Sequence, residues 1–246
     1  LSLIQGITEF LPISSSSHLI LTSKFLNFNN QSLSVDVSLH IGSFIAVLTY
    51  FHKEILNFVN NKTLLLKILI ASVPIMIIGF LLVESRLIEK IRNLETIAWM
   101  TFIFGILLFL SDKFKLEKNL KKNFTYKSAI FIGFFQILAL IPGVSRSGIA
   151  ITAARLLGFK RVDAAKISFL VSIPILGAVS LFGIKNLIIE ENISFTILNL
   201  ISVVLSFFFS LITIKFFLKF INKFNLNVFV YYRVLLGFIL LILAYL

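Results

Sequence analysis

Apolar stretches long enough to cross a bilayer recur along the whole chain, and two more are broken near their middle by proline and small polar residues. The unbroken stretches are Val35–Phe51, Leu64–Val83, Leu94–Leu110, Ala164–Ile184, Phe195–Phe217 and Val228–Leu246. A helix needs roughly 20 apolar residues to cross a hydrocarbon core about 30 Å thick. The pattern therefore predicts an all-α integral membrane protein forming a single polytopic domain over 1–246. Composition excludes a soluble enzyme: 58% of the 246 residues are hydrophobic and 14% charged, against about 25% charge in a soluble domain. Cysteine is absent, which excludes a disulfide framework, a thiolate nucleophile and a Cys-based metal site. The net charge of +12 raises nucleic acid as a partner. Its basic residues fall in short loops between spans, however, which is a membrane-topology pattern, so no nucleic-acid partner is expected.

The broken segments are Leu1–Leu26, interrupted by LPISSSSH, and Phe124–Leu157, interrupted by IPGVSRSG. Each half is too short to span, and the break frees backbone groups that lipid cannot satisfy. The expected form is a re-entrant helical hairpin in each case, alongside about six transmembrane helices. If both segments return to the side they enter from, one set of loops holds Lys53, Lys62, Lys113, Lys115, Lys118, Lys121, Lys122, Lys127, Arg155, Lys160, Arg161, Lys166, Lys215, Lys219 and Lys223. The other holds Lys24, Arg86, Lys90, Arg92 and Lys185. Fifteen against five is a positive-inside bias that puts the 113–127 loop in the cytoplasm. A full crossing by either broken segment would weaken that bias.

An internal repeat is also expected. Pro12 and Pro142 lie 130 residues apart, Ser15 pairs with Ser145 and Ser17 with Ser147, and Asp36 and Asp163 open the next span in each half. Repeat 1 covers about 1–111 and repeat 2 about 124–246, each with one hairpin and three spans. An odd number of spans inverts the second half, as in many transporters, and sets the site near the midplane. The sequence begins at Leu1 without Met and shows no cleavable signal pattern. A start truncated by a few residues is expected.

Few residues here can do chemistry. Of eleven carboxylates, those inside or at the edge of apolar sequence are Glu9, Asp36, Glu84 and Asp163. Asp36 and Asp163 open spans, where a carboxylate complements the helix dipole, and Glu84 ends one at the interface. Glu9, within GITEFLP, has no such structural reason. His18 closes the first break, His52 beside Lys53 reads as solvated, and His40 within a span either lines a cavity or bonds backbone. Arg146 is the sharpest signal, because a guanidinium in a broken membrane segment is costly without an anionic partner. Its fork fits phosphate oxygens, as does a nest of backbone N–H groups. Gly143 and Gly148 would allow close approach, and Ser145 and Ser147 add hydroxyl donors. The structural alternative is an Arg146–Glu9 ion pair, and both can hold. Together the tips offer Glu9, four serines, His18 and Arg146: a phosphate site with candidate nucleophiles and acid–base groups. In a membrane the substrate is then a lipid phosphate or diphosphate.

These residues resemble a known family. QGITEFLPISSSSH (Gln5–His18) is similar to the (E/Q)xxxE and FLPxSSxxH signature of undecaprenyl-diphosphatase, the integral-membrane, bacitracin-resistance type. PGVSRSG (Pro142–Gly148) is similar to its PGxSRSxxT motif through the first seven positions. The resemblance implies a bacterial plasma-membrane enzyme, its site facing the periplasm. It hydrolyses undecaprenyl diphosphate to the monophosphate and phosphate, which recycles the carrier for peptidoglycan synthesis and confers bacitracin resistance. It also implies the inverted repeat, two re-entrant hairpins and six spans, with a divalent cation, Mg or Ca, aiding activity. Partners are the polyprenyl diphosphate and membrane lipids, with a homodimer left open. Carried over, Glu9, Ser15, His18 and Arg146 are catalytic, while Arg146, Ser145, Ser147 and Gly143 bind phosphate. Glu9 is the metal ligand, with Gln5 weaker because it stands where the motif often has Glu. Ala150 replaces the motif's Thr, and Thr152 follows two residues later. The nucleophile stays open between Ser15, with His18 or Glu9 as base, His18 oriented by Glu9, and water activated by Glu9 and a cation. A lipid-phosphate flippase or secondary transporter using the same anion site is the alternative function.

Overall fold

The computed structural model describes residues 1–26, 33–58, 61–85, 91–114, 117–189 and 197–246. Arg86, Lys90 and Lys115 of the charge count, and the start of the span at Phe195, lie outside these residues. The described helices are α1 (Ser2–Thr8), α2 (Ser15–Leu26), α3 (Leu33–Tyr50), α4 (His52–Leu56), α5 (Lys62–Glu84), α6 (Leu94–Asp112), α7 (Leu120–Asn123), α8 (Tyr126–Ile137), α9 (Arg146–Leu156), α10 (Arg161–Ile189), α11 (Ile197–Lys223) and α12 (Asn227–Tyr245). Among the described residues no strand forms, and a lone bridge pairs Lys118 with Phe159. Helices α3, α5, α6, α10, α11 and α12 are long and apolar enough to cross a membrane, and each coincides with a predicted span to within a few residues. The chain is a multi-pass membrane protein.

Local signals start the helices. Asn61, Asn93 and Thr125 accept hydrogen bonds from the backbone N–H groups of Leu64, Thr96 and Ser128, satisfying donors that a helix start leaves free. Prolines sit inside two spans, Pro74 in α5 and Pro174 in α10. Three residues before each, a carbonyl takes a donor from a neighbouring helix: Gln136 Nε2 reaches Ala71 O at 3.0 Å and Ser72 Oγ reaches Val171 O at 3.0 Å. Neighbours thus supply polar partners where proline disturbs the ladder.

Packing relies on close approach, because lipid is as apolar as a leucine side chain and drives helices together weakly. Helix α11 lies against α3 and α1. At Gly42 an added Cβ would stand 2.4 Å from Val203 O, and at Gly6 2.5 Å from Phe209 Cβ. Beside Gly42, Ser210 Oγ donates to Ser43 Oγ at 3.0 Å and Ser206 Oγ to Leu39 O at 2.7 Å. The core centres on Phe169 of α10, edge-on to Phe10 at 5.3 Å and near Phe51 and Phe217. Leucine, isoleucine and phenylalanine side chains on the outer faces of α5, α11 and α12 are exposed, as suits lipid contact.

Both broken segments form two short helices packed on each other, α1 with α2 and α8 with α9. Phe124 before α8 and Phe159 after α9 meet at 6.2 Å, so that pair starts and finishes at one end of the bundle. Each second helix is preceded by a serine with positive φ, Ser14 at 74° and Ser145 at 71°. This backbone region is strained for a residue with a Cβ. The pairing of Ser15 with Ser145 read from the proline spacing is corrected by one residue: Ser14 occupies the position of Ser145. Ser15 and Arg146 are accordingly the first residues of α2 and α9.

One buried carboxylate was not singled out by sequence. Asp112 pairs with Arg155 Nε at 3.2 Å and Arg161 Nε at 2.7 Å, and accepts from Leu226 N at 3.1 Å. It ties together the adjoining ends of α6, α9, α10 and α12, so two cations counted as loop charges belong to an ion-pair network. Asp163, in the first turn of α10, also accepts from Leu120 N at 3.0 Å.

Replacing Gly42 with Val forces α3 from α11 and is expected to destabilise the fold by about 1–3 kcal/mol. The check is thermal unfolding of the detergent-solubilised protein. An unchanged Tm would refute the close approach.

Candidate active site

The site is assembled where the two breaks meet, and one side chain from α12 holds them there. Arg233 is fully buried. Its Nη1 donates to Pro12 O at 3.2 Å and Val144 O at 3.0 Å, its Nη2 to Gly143 O at 2.8 Å and its Nε to Thr101 O at 3.3 Å. Carbonyls freed by both breaks therefore share a single guanidinium, whose five N–H donors form a rigid fork. A second tie crosses directly, from Ser147 Oγ to Leu11 O at 2.7 Å. Gly143 fits because its φ is +100° and because a Cβ there would stand 2.7 Å from Ile97 O. Only glycine meets both demands without strain.

Glu9 lies between the two helix starts. Its Oε1 pairs with Arg146 Nη2 at 2.9 Å, while its Oε2 accepts from Ser15 Oγ at 2.7 Å and Gln5 Nε2 at 3.1 Å. The same Gln5 nitrogen stands 3.2 Å from His40 Nδ1. Arg146 Nη1 is buried with no hydrogen-bond partner among the described residues. A guanidinium nitrogen left in that condition matches an anion oxygen. Carboxylate, hydroxyl and guanidinium thus form one connected set, in which Ser15 already directs its hydrogen at a base and Arg146 keeps a free donor.

His18 Nδ1 stands 2.7 Å from Ser14 O, and its Nε2 faces the Tyr232 hydroxyl. For a cation, Gln5 Oε1 is buried without a hydrogen-bond partner among the described residues, while the Nε2 of the same amide faces the Glu9 carboxylate. An amide oxygen and a carboxylate are hard donors of the kind Mg or Ca prefers. Among the described residues no three His, Asp or Glu side chains cluster as a metal site, so substrate oxygens and water would complete any coordination.

The comparisons with known proteins agree in one direction. The sequence model of the bacitracin resistance protein BacA family matches residues 1–239. This chain belongs to that family. It is 51% identical over 246 residues to an undecaprenyl-diphosphatase of Pelagibacter ubique, a match that covers 100% of this chain and 96% of the relative. An undecaprenyl-diphosphatase of Saccharophagus degradans is 43% identical over 249 residues, covering 96% and 93% of the two chains. One from Alcanivorax borkumensis is 40% identical over 254 residues, covering 98% and 96%. In this BacA family member the resemblance read from the two motifs is therefore established over the full chain.

Against the sequence expectations, the fold brings Gln5, Glu9, Ser15 and Arg146 into direct contact. It gives other predicted residues internal duties. Ser145 Oγ caps Gly148 N at 3.1 Å and bonds Ser147 Oγ at 3.2 Å, and Ser147 bridges to Leu11. Gly143 serves packing and the Arg233 anchor. Ala150 is fully buried in the main core. His52 is exposed as expected, and His40 joins the site through Gln5. Sequence reading passed over Arg233 and Tyr232. The available signal was a lone guanidinium in the span Val228–Leu246, which intramembrane cost alone marks as partnered.

Arg233→Leu leaves the carbonyls of Pro12, Gly143 and Val144 without this donor, at about 1–3 kcal/mol for each buried group left unpaired. Loss of folded protein in detergent, with a lower Tm in whatever survives, is expected from size-exclusion and thermal-shift assays. Wild-type stability in Arg233→Leu would remove the anchor.

Proposed function

We propose that this chain is an undecaprenyl-diphosphatase that hydrolyses undecaprenyl diphosphate to undecaprenyl phosphate and inorganic phosphate. In a bacterium this recycles the lipid carrier for cell-wall synthesis and confers bacitracin resistance. The observation that carries the site assignment is the Glu9 carboxylate, bonded on one oxygen to Ser15 Oγ and on the other to Arg146.

In this reading Arg146 turns its free Nη1 to the terminal phosphate and stabilises the charge that develops as the phosphoryl group transfers. Ser15 Oγ attacks the terminal phosphorus, forming an O–P bond. The bond from that phosphorus to the bridging oxygen breaks, and undecaprenyl phosphate departs. The Ser15 proton passes to Glu9 Oε2, already in hydrogen-bond reach. Glu9 gives that proton to the departing undecaprenyl phosphate. Water then loses a proton to the freed carboxylate and attacks the phosphoserine phosphorus. As the P–Oγ bond breaks, Glu9 returns the proton to Ser15 Oγ and phosphate is released. Ser15 is favoured over His18 as nucleophile because its hydroxyl points at a carboxylate oxygen, whereas His18 Nε2 is taken by Tyr232. A divalent cation, Mg or Ca, would be held by Glu9 and Gln5 Oε1 and would neutralise diphosphate charge. Every group in the scheme comes from one chain.

We further read the two halves as an inverted repeat, about 1–111 and 124–246, with both hairpins re-entrant. Support comes from matched positions 131 residues apart: Gln5 with Gln136, Ser14 with Ser145 and Ser16 with Ser147. Helix α1 packs on α11 as α8 packs on α5. With the Lys-rich loops cytoplasmic, the site faces the periplasm across the inner membrane. The flippase or transporter alternative has no support in the relatives' names or in the site.

The test is phosphate release from undecaprenyl diphosphate by the purified protein, with and without Mg or Ca. Arg146→Ala is expected to lower turnover by about 10²–10³-fold, the usual cost of losing one positioned donor, and Ser15→Ala to abolish the rapid-quench phosphoenzyme. A phosphoryl adduct on His18 would overturn the nucleophile assignment. No release from folded wild type would overturn the function.

A further inference from the structure

The end of the bundle that carries the lysine-rich loops holds a cavity of about 730 Å³ between α4, α5, α7 and α10. It shares no lining residue with the candidate active site. Lys67, Lys121, Lys122 and Lys166 line it, against two carboxylates, Glu54 and Asp163. Asp163 already accepts from Leu120 N, and among the described residues every ion pair belongs to Glu9 or Asp112. The four ammonium groups therefore have no carboxylate partner there, whereas Arg155 and Arg161 share Asp112. Lys121 and Lys122 are exposed, but Lys67 and Lys166 are half-buried in the second turns of α5 and α10, where a cation without a counter-ion is costly. Lys67 Nζ stands 5.4 Å from the centroid of the Tyr126 ring, a contact that supplies no negative charge. Phe51, Phe124 and Leu170 give the cavity an apolar lining. Lys67 and Tyr126 also mark its border with the packed seam of α5 and α8, whose outer face exposes Leu66, Leu69, Ile130 and Phe134. A ligand here meets unpaired cations at one end and an apolar path to the bilayer at the other, the combination that an amphiphilic anion needs.

We propose that this cavity binds the headgroup of an anionic phospholipid, with its phosphate held by Lys67 and Lys166, Lys121 and Lys122 at the rim, and its acyl chains along the seam of α5 and α8. A zwitterionic lipid brings its own ammonium group among the four lysines and is disfavoured by like-charge repulsion. The leaflet, cytoplasmic in the orientation proposed above, rests on that reading. The site itself does not, and it is independent of the hydrolase reaction.

The test titrates delipidated protein in a nonionic detergent with dioleoyl-phosphatidylglycerol or dioleoyl-phosphatidylcholine and counts bound lipid by native mass spectrometry. Phosphatidylglycerol is expected to bind saturably, and phosphatidylcholine, with the same acyl chains, about tenfold more weakly. Lys67→Gln/Lys166→Gln is expected to raise the phosphatidylglycerol Kd about 25-fold, at about fivefold for each lysine facing an anionic lipid. Lys121→Gln/Lys122→Gln changes only exposed positions, is expected to act in the same direction, and keeps the test decisive should the half-buried pair fail to fold. Lys215→Gln/Lys219→Gln, at exposed positions of α11 outside the cavity, is expected to leave Kd within about twofold, because charges that do not touch the headgroup are largely screened at about 0.15 M salt. The proposal is overturned by no saturable binding, by equal binding of the two lipids, or by an unchanged Kd in a folded cavity variant. An equal loss in the α11 variant also overturns it, since that is diffuse attraction to basic loops. Inorganic phosphate is the remaining arm: if it displaces phosphatidylglycerol at equal concentration and shows the same lysine dependence, the cavity takes a free anion and the lipid assignment falls.

Discussion

Backbone groups freed inside a bilayer must find partners within the protein, since each left bare costs several kcal/mol. The architecture of this chain follows from that constraint at two places. Breaking α1 from α2 and α8 from α9 opens turns that can bind a polar headgroup, and it leaves carbonyls that a continuous helix would have used. Arg233 answers the need with one planar fork across both turns. A lysine ammonium is a point charge and cannot present the same spread of donors. The strained φ at Ser14 and Ser145 is tolerable because this surrounding network determines the turns.

Once the turns are fixed, a single carboxylate gathers the polar groups of the candidate site. Glu9 connects groups from opposite halves: Ser15 starts α2, Arg146 starts α9, and both end on the same side chain. The ion pair keeps Arg146 compensated, which matters because an unpaired buried cation is strongly destabilising. One carboxylate holds both the hydroxyl and the guanidinium, so a change to Glu9 disturbs both contacts.

Much of this was legible in the chain. The six spans were visible because hydropathy reports directly on the solvent that surrounds them. The two breaks were visible because proline and clustered serine have few uses at membrane depth. Glu9, Ser15 and Arg146 stood out for the cost of a polar group there. The register of the two turns was less accessible. Proline spacing pairs Ser15 with Ser145, whereas the backbone pairs Ser14 with Ser145, since the turn geometry and not the proline fixes where each helix begins. Arg233 and Tyr232 were missed because their partners lie more than 80 residues away and are mostly main-chain atoms, which leave no side-chain pattern to read. Asp112 was not singled out because it lies just past the span ending at Leu110 and its partners Arg155 and Arg161 come from two other helices.

The position of Arg233 late in the chain has a consequence for biogenesis. Both turns emerge from the ribosome before α12 does, and until that helix inserts their carbonyls lack the guanidinium that pairs them. Equally, a helix bearing a buried arginine enters lipid at a penalty that the waiting turns and the Thr101 carbonyl of α6 relieve. The nascent protein therefore secures its two turns with α12, and translation halted before that helix would leave two water-seeking turns in the membrane as a target for quality-control proteolysis.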